Sequence, residues 1–223
     1  MKNIYDECPI LENERFLFRK VELSDTKELL KVYSDKNALP FFNSDNCHQG
    51  NFYIQTEEDM EKCIESWNWE YEQRGFVRLA IIDKAINEKI NEESNEEINE
   101  GSNVESNKAG NKESNKSNDK VIGTIELFNR RAEDYFNNCG LLRLDLRSDY
   151  EQENIIYNIL SVITNPAFEL FECTMVATKA RNYAVERIAA LKKAGYIKSE
   201  EKIIGQDGTI YGDYWVKDDV SSS

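Results

Sequence analysis

The feature that most restricts how this chain can fold is an alternation of strand-like and helix-like patterns between Cys139 and Tyr196. Residues 141–146 form a short apolar-rich segment typical of a β-strand, and the polar cluster at 147–149 ends it. From Ile155 to Leu170, apolar residues recur every three or four positions, which predicts one face of a helix. Residues 173–177 again have β character. The order strand, helix, strand predicts a parallel pair with a right-handed crossover.

A second helix is predicted directly after this unit. Asn182 has a side chain suited to the N-cap of a helix, and the segment from Ala184 to Ala194 has helical apolar spacing. Gly195 follows at the position where many helices end in the left-handed conformation. The sequence therefore predicts a mixed α and β fold.

The rest of the chain supplies further elements around this core. Ser24 is the expected cap of a helix that reaches about Tyr33. Thr56 with Asp59 approximates a capping box for another helix, which Gly75 ends. The other predicted strands are 16–19, 76–82, 121–128 and a closing hairpin that combines 203–204 with 209–216.

The composition changes abruptly between residues 84 and 120, which are almost wholly Asn, Glu, Lys, Ser, Gly and Ile. Such a segment buries too little apolar surface to offset an ordering entropy of about 1–2 kcal/mol per residue, so we expect disorder. It joins two strands predicted to pair, and we therefore interpret it as an insertion at the tip of a hairpin within a single domain, 1–223. Tolerated expansion and a partner-binding role are both open.

Charge and composition limit the classes of function. The formal charge of −14 argues against nucleic-acid binding, which requires clustered Lys and Arg. The same charge either steers a cationic substrate such as an amine or only keeps the protein soluble. No apolar run is long enough for a membrane helix and no signal peptide is evident, which predicts a cytoplasmic protein without membrane partners. Five widely spaced cysteines and one histidine predict free thiols and no metal site.

In the order of its elements the chain resembles the GCN5-related N-acetyltransferase (GNAT) superfamily, in particular its RimJ/RimL-like branch. The resemblance is carried by the strand–helix–strand unit, by Asn182, by the sequence KKAGY at 192–196, and by the segments 15–25 and 121–128. It implies an α+β (α/β) fold, with a mostly antiparallel central sheet of about six to seven strands and helices on both faces.

The resemblance also implies a function and a set of site residues. The expected reaction transfers an acetyl group from acetyl-CoA to a primary amine, either a protein N-terminus or a small amine, by a monomer or homodimer. The strand that enters the crossover helix lends backbone groups to the pantetheine arm, and the following loop wraps the pyrophosphate. The cofactor-binding residues implied in this way are Leu144, Leu146, Arg147, Gln152, Asn154 and Asn182. Glu126 is the implied general base, and the alternative for it is an outward-facing polar residue of an alternating strand.

The pyrophosphate loop departs from the pattern of that superfamily, which is Gln or Arg, two residues, Gly, one residue, then Gly or Ala. The matching positions here are Glu151, Asn154 and Ile156. With Asp149 and Glu153, this loop carries three carboxylates, and one carboxylate about 4 Å from a phosphate costs roughly 4 kcal/mol at an effective dielectric constant of about 20. A helix dipole returns only about 0.3–1 kcal/mol.

Two interpretations of these letters follow. Arg143, Arg147, Lys179 and Arg181 are the cations that can offset the carboxylates. Alternatively, Ser148 and Glu151 form a capping box that satisfies the amides a phosphate would use. Two hypotheses of function stay open as a result: an acetyltransferase, or a binding or regulatory protein that keeps the fold with weak or no CoA binding.

Overall fold

The computed structural model describes residues 4–45, 47, 50–84, 120–205 and 207–219. Its centre is a sheet of eight strands in the order β1-β2-β3-β4-β5-β6-β10-β7, and β8 and β9 form a separate two-stranded ribbon. The strands are β1 Leu11–Glu12, β2 Phe16–Lys20, β3 Val77–Asp83, β4 Val121–Arg130, β5 Cys139–Leu146, β6 Met175–Lys179, β7 Ile197–Lys198, β8 Ile203–Ile204, β9 Ile210–Tyr211 and β10 Tyr214–Asp218. The helices are α1 Thr26–Tyr33, α2 Glu57–Glu72, α3 Glu153–Phe171 and α4 Val185–Lys193.

The predicted fold class is confirmed. The pairings are antiparallel except for β5 with β6, which are parallel and joined through α3, as the strand–helix–strand pattern predicts. The sheet has eight strands rather than six or seven because β1 and β7, two residues each, extend its edges. The segments 16–19, 76–82, 121–128 and 141–146 all fall on strands, whereas the strand predicted at 173–177 lies two residues later.

The two faces of the sheet differ in chemistry. On one face, apolar side chains of β2 to β5 pack against α3 in the largest core of the molecule. The predicted apolar stripe of α3 is confirmed by its buried residues, which include Ile155, Ile159, Ile163 and Ala167. On the other face, α1 and α2 form a second apolar core around Leu29, which contacts the sheet near Ala80 and Ile82, and the centre of that face is polar.

The helix ends confirm some of the predicted caps and correct others. The Oγ1 of Thr56 accepts a hydrogen bond from the backbone N–H of Asp59 (3.1 Å), as predicted. The predicted cap of α1 is wrong, because Ser24 lies inside a 3₁₀ turn and Asp25 holds the cap position. The helix start predicted at Asn182 is also wrong, because α4 begins at Val185 and its N-cap is Ala184. Gly195 has a φ of +85°, which confirms the left-handed end of α4.

The insertion lies where the sequence predicts it in the topology. β3 and β4 are antiparallel neighbours, and the backbone N–H of Asp83 donates to the carbonyl oxygen of Lys120 (3.3 Å), so the segment between them connects the two strands of one hairpin. The predicted disorder concerns residues outside the described part of the chain. The closing hairpin is confirmed only in part, because β8 pairs with β9 whereas β10 enters the main sheet between β6 and β7.

The predicted free thiols are confirmed, since all five cysteines are unpaired. Among the described residues, no helix combines the length and the apolar character that crossing a membrane requires. The same residues contain no group of three or more acidic, His or Cys side chains arranged to hold a metal ion.

Candidate functional site

The polar centre of the sheet face towards α1 and α2 is produced by strand register. Arg78 on β3 lies opposite Glu126 on β4, and Glu126 lies opposite Arg143 on β5. One step along the strands, Thr124 lies opposite Asp145. Since alternate residues of a strand point to the same face, all five side chains lie on the face away from α3. We call Arg78, Thr124, Glu126, Arg143 and Asp145, with Tyr33 of α1, the polar network.

Arg78 connects the members of the polar network and is one of the largest fully buried side chains of the protein. One guanidinium nitrogen forms a short ion pair with Glu126, and the other lies 3.2 Å from Asp145 and 2.9 Å from the hydroxyl of Tyr33. The guanidinium also lies 4.2 Å from the ring centroid of Trp67. Such a charge is stabilised inside a protein only by partners of this kind.

The electrostatics of the polar network keep Arg78 charged. Burial by itself lowers the pKa of Arg78, but Tyr33, Glu126 and Asp145 together raise it above its usual value. Burial raises the pKa of Asp145, which Arg78 opposes without cancelling the rise. Burial and the charge of Asp145 raise the pKa of Tyr33 well above its usual value, so this hydroxyl is a neutral donor.

The connection between α1 and α2 crosses the ends of β5, β6 and β10 and is held there by Asp45. The ammonium of Lys179 donates to both carboxylate oxygens of Asp45 (2.6 and 2.7 Å), and the hydroxyl of Tyr214 donates to one of them (2.8 Å). Arg143 donates to the carbonyl oxygen of Asp45 (2.6 Å) and extends with its Nε to Glu126 (3.3 Å). The connection is therefore linked to the polar network through one arginine.

Beside the polar network lies an open cavity of about 620 Å³, a volume in the range of ligand sites. Its floor includes Glu126 and Arg143, and Asp45 lies on its wall. The other walls come from the end of α2, from the end of β4 and from the β8–β9 ribbon, whose Ile204 is 60% exposed. The cavity thus joins buried charge to an exposed apolar rim.

On the other side of the sheet, β5 and β6 separate. Their pairing runs from Cys139 opposite Met175 to Leu142 opposite Thr178, whereas β5 continues to Leu146. The resemblance places the pantetheine arm in this gap, which we call the donor gap. Here the side chain of Arg187 enters the gap from α4 and donates to the carbonyl oxygen of Leu144 (2.9 Å).

Arg187 is almost fully enclosed in the donor gap. It also donates to the carbonyl oxygen of Phe41 (3.0 Å) and forms an ion pair with Glu151, and these two charged side chains are only 4% and 5% exposed. The cavity that stays beside Arg187 has a volume of about 10 Å³, room for about one water molecule. In this conformation the donor gap does not fit a pantetheine arm.

The backbone amides at the start of α3 are satisfied by the protein's own carboxylates. The N–H of Ser148 donates to Asp35 (2.9 Å), and the N–H of Glu153 donates to Glu186 (2.9 Å). The predicted capping box of Ser148 and Glu151 is wrong, because Ser148 lies in a 3₁₀ turn and Glu151 turns inward to Arg187. The consequence expected from that box is nevertheless present, since these amides do have acceptors.

The acidic residues of the loop each have a cation. Asp149 forms a two-fold pair with Arg147 (2.6 and 2.7 Å), and Glu153 lies 3.7 Å from Lys193. Of the four cations that the sequence suggested for this role, Arg147 fulfils it. Arg143 and Lys179 belong to the opposite face, where they contact Glu126 and Asp45. The hydroxyl of Tyr183 receives a hydrogen bond from Arg181 (3.1 Å).

The predicted cofactor residues do not converge on one point. Leu144 and Leu146 point their side chains into the α3 core, so only their backbone can meet a ligand. The side chain of Gln152 donates to the carbonyl oxygen of Asp149 (2.7 Å), and that of Asn154 accepts from the N–H of Ile155 (2.9 Å). Asn182 is exposed and accepts from Lys198 (3.2 Å) on an edge strand. Their roles toward a cofactor stay predictions.

Sequence reasoning found Glu126 but missed its partners and Arg187. Arg78 stands between buried apolar residues on β3, and Thr124 with Glu126 alternates with apolar residues on β4. This period-two placement of polar residues on neighbouring strands is a signal that could have identified the polar network. Nothing in the helical spacing of α4 distinguishes Arg187 from a surface residue.

Comparison with known proteins gives similarity in structure alone. No protein-family model matches the sequence, and a comparison with curated proteins finds no match. The ribosomal-protein-S5-alanine acetyltransferase from Vibrio fischeri is similar with a TM-score of 0.58 and 15% identity, covering 96% of this chain and 99% of that one. RimL, the ribosomal L7/L12 alpha-N-protein acetyltransferase in complex with coenzyme A, has a TM-score of 0.58, 10% identity, and coverage of 94% and 98%.

A GNAT-family acetyltransferase from Bacillus anthracis is also similar, with a TM-score of 0.54, 11% identity, and coverage of 93% of this chain and 96% of that one. These similarities extend over nearly the whole described chain, including both helix layers and the parallel strand pair. The chain therefore has the fold of the GCN5-related N-acetyltransferases. At the level of the fold, the resemblance to the RimJ/RimL-like branch is confirmed.

Proposed function

We propose that this protein is an amine N-acetyltransferase that transfers an acetyl group from acetyl-CoA to a primary amine of a peptide N-terminus or a small molecule. The observation that carries the proposal is the position of Glu126 on the floor of the 620 Å³ cavity, on the sheet face opposite α3. The fold and the acetyltransferases that share it support the reaction class.

Glu126 is the proposed proton acceptor. An amine that enters as an ammonium ion must lose a proton before its nitrogen attacks an acyl carbon, and a carboxylate within reach directly or through one water molecule can take that proton. Arg78 and Arg143 each bind one oxygen of Glu126, which holds the carboxylate in a single orientation. Its remaining lone pairs are available to a donor in the cavity.

The shape and charge of the cavity support a peptide or another elongated amine as acceptor. The buried carboxylates of Glu126 and Asp45 attract a cation, while Phe76, Phe128 and Ile204 provide apolar walls farther out. The similar structures named as ribosomal-protein acetyltransferases act on protein amines, which agrees with an acceptor of this size.

The direct test is calorimetric titration with acetyl-CoA, together with mass-spectrometric detection of acetylated product on a panel of peptides and small amines. We expect micromolar binding and a product acetylated at a primary amine. Binding with no product from any amine would refute transfer, and a thioester hydrolysed at the same rate with and without amine would refute the acceptor site.

A second candidate is a binding or regulatory protein that keeps this fold without CoA affinity. It is favoured by the amides at the start of α3, which a diphosphate would need and which Asp35 and Glu186 occupy. No heat signal with millimolar CoA would support this candidate. Glu151→Gln with Asn154→Gly distinguishes the two, because a loop that is only blocked gains CoA affinity from this pair of substitutions.

A further inference from the structure

The donor gap contains a charged pair whose position is unusual for a purely structural contact. Arg187 donates to Leu144 and Phe41 through one nitrogen and to Glu151 through the other two. Leu144 is the strand residue whose backbone is predicted to carry the pantetheine arm, and Glu151 belongs to the loop predicted to carry the pyrophosphate. One side chain therefore occupies both parts of the predicted path.

We propose that Arg187 and Glu151 form an internal plug of the donor gap, which must leave Leu144 before a pantetheine thioester can enter. This inference rests on the proposed function, because it names the residues that control access of its acyl donor. Arg187 is thereby assigned as the residue that sets donor affinity, and the competitor of the donor is a part of the protein itself.

The geometry makes the plug specific to this gap. The parallel ladder stops at Leu142, so the carbonyl oxygen of Leu144 points to the gap and takes a guanidinium in place of a strand partner. The carbonyl oxygen of Phe41, from the connection between α1 and α2, binds the same nitrogen from the opposite side. The hydroxyl of Tyr183 donates to the carbonyl oxygen of Pro40 (2.5 Å) and continues the closure outward.

The plug costs donor affinity in a way that can be measured. When only a fraction of molecules has a competent site, the apparent dissociation constant rises by the inverse of that fraction. A closed state populated ten times more than the open one therefore weakens binding about tenfold. Removing the plug should recover this factor without any new contact to the ligand.

The test compares CoA affinity of the wild type with that of the double variant Arg187→Ala/Glu151→Gln, by titration calorimetry. The substitutions remove one charge of each sign, so the net charge does not change, and neither partner is left buried alone. We expect at least tenfold tighter binding by the double variant. The gain should also appear with 4′-phosphopantetheine, which has no diphosphate, because the plug blocks the arm beside Leu144.

The matched control is Arg19→Ala/Asp25→Asn, which removes another two-fold ion pair with bonds of 2.8 Å near the start of α1, away from the donor gap. This control should leave CoA affinity unchanged. If it tightens binding as much as the plug variant does, the gain reflects general loosening and the proposal is overturned.

The outcomes separate the plug from the proposed function. Tighter binding without acetyl transfer by any variant supports the plug and refutes the transferase. Unchanged or weaker binding by a folded double variant, with transfer by the wild type, overturns the plug and leaves the transferase. If the double variant does not fold, a crystal structure of the wild type with CoA decides, because Arg187 still bonded to Leu144 beside a bound pantetheine arm would overturn the plug.

Discussion

The two sides of the sheet near the end of β5 differ in how their buried charges are used. On the side of α1 and α2, the polar network borders a cavity of about 620 Å³, and Glu126 has access to it. On the side of α3 and α4, the ion pair of Arg187 and Glu151 lies beside a space of about 10 Å³. Paired buried charge therefore floors a site on one side and fills a site on the other.

The difference follows from what each guanidinium can bind. Arg78 has carboxylate and hydroxyl partners within the sheet face, so it does not need the space in front of Glu126. Arg187 instead takes two main-chain carbonyl oxygens at the place where two strands separate. Since unpaired carbonyl groups in a dry interior are costly, an arginine that satisfies them is held there.

The largest effect is expected from breaking the polar network. Arg78→Ala leaves Glu126 and Asp145 without their shared cation, and removing one partner of a buried ion pair costs about 3–5 kcal/mol. We expect a loss of this size in the free energy of unfolding, measured with urea. Arg78→Met combined with Glu126→Gln and Asp145→Asn should lose much less, and an equal loss in both would show that volume rather than charge decides.

The next effect concerns the chemistry of the open side. Glu126→Gln keeps the shape of the floor but cannot accept a proton, and loss of a general base lowers the rate by about 10²–10⁴-fold. Turnover with saturating acetyl-CoA and amine, followed from pH 6 to 9, should fall by at least the lower value, while the dissociation constant for CoA stays within a factor of about two. Turnover equal to that of the wild type at each pH would remove Glu126 from the mechanism.

A smaller effect is expected from the cap of α2. Thr56→Ala removes the acceptor of the Asp59 N–H and should reduce the free energy of unfolding by about 1 kcal/mol. Neither turnover nor CoA affinity should change, because Thr56 is exposed and lies outside both sites. The variant shows how far a plain loss of stability affects activity, and Thr56→Ser, which keeps the acceptor, should behave as the wild type.

The smallest effect concerns the amide that Asp35 occupies on the closed side. Burial acts to raise the pKa of Asp35, but hydrogen bonds from Ser148, Asn37 and Ala38 lower it overall. A carboxyl group with a lowered pKa stabilises the folded state above its unfolded pKa, and that contribution is lost as the pH falls through the folded value.

The difference in unfolding free energy between wild type and Asp35→Asn should therefore shrink as the pH is lowered below about 4, the usual pKa of an aspartate. Urea unfolding at a series of pH values measures it. A difference that is independent of pH would mean that the bond to Ser148 does not depend on the charge of Asp35.

Most of the fold could be predicted from local patterns. The three- and four-residue spacing in α3, the alternation in β3 to β5 and the glycine at 195 each depend on nearby residues, and each was confirmed. The start of α4 was not predictable in this way, because Asn182 is a good cap by type yet accepts from Lys198, a residue that only the edge strand brings near.

The candidate site was predictable only in part. Glu126 could be named because it interrupts an apolar strand, and the departures at Glu151 and Asn154 could be read directly as missing glycine. The acceptors of the α3 amides could not, since Asp35 lies 113 residues from Ser148 and Glu186 lies 33 residues from Glu153. A residue's type limits what it can bind but does not say which distant partner reaches it.

The sequence by itself determined the order of strands and helices, the parallel crossover and the loss of a glycine-lined phosphate loop, because these depend on spacing and side-chain type. Only the tertiary structure decided that Arg78, Glu126 and Arg143 form one row and that Arg187 enters the donor gap. Strand register sets the first. The second depends on a contact between α4 and Phe41, 146 residues apart, and such pairing is chosen by packing rather than by local pattern.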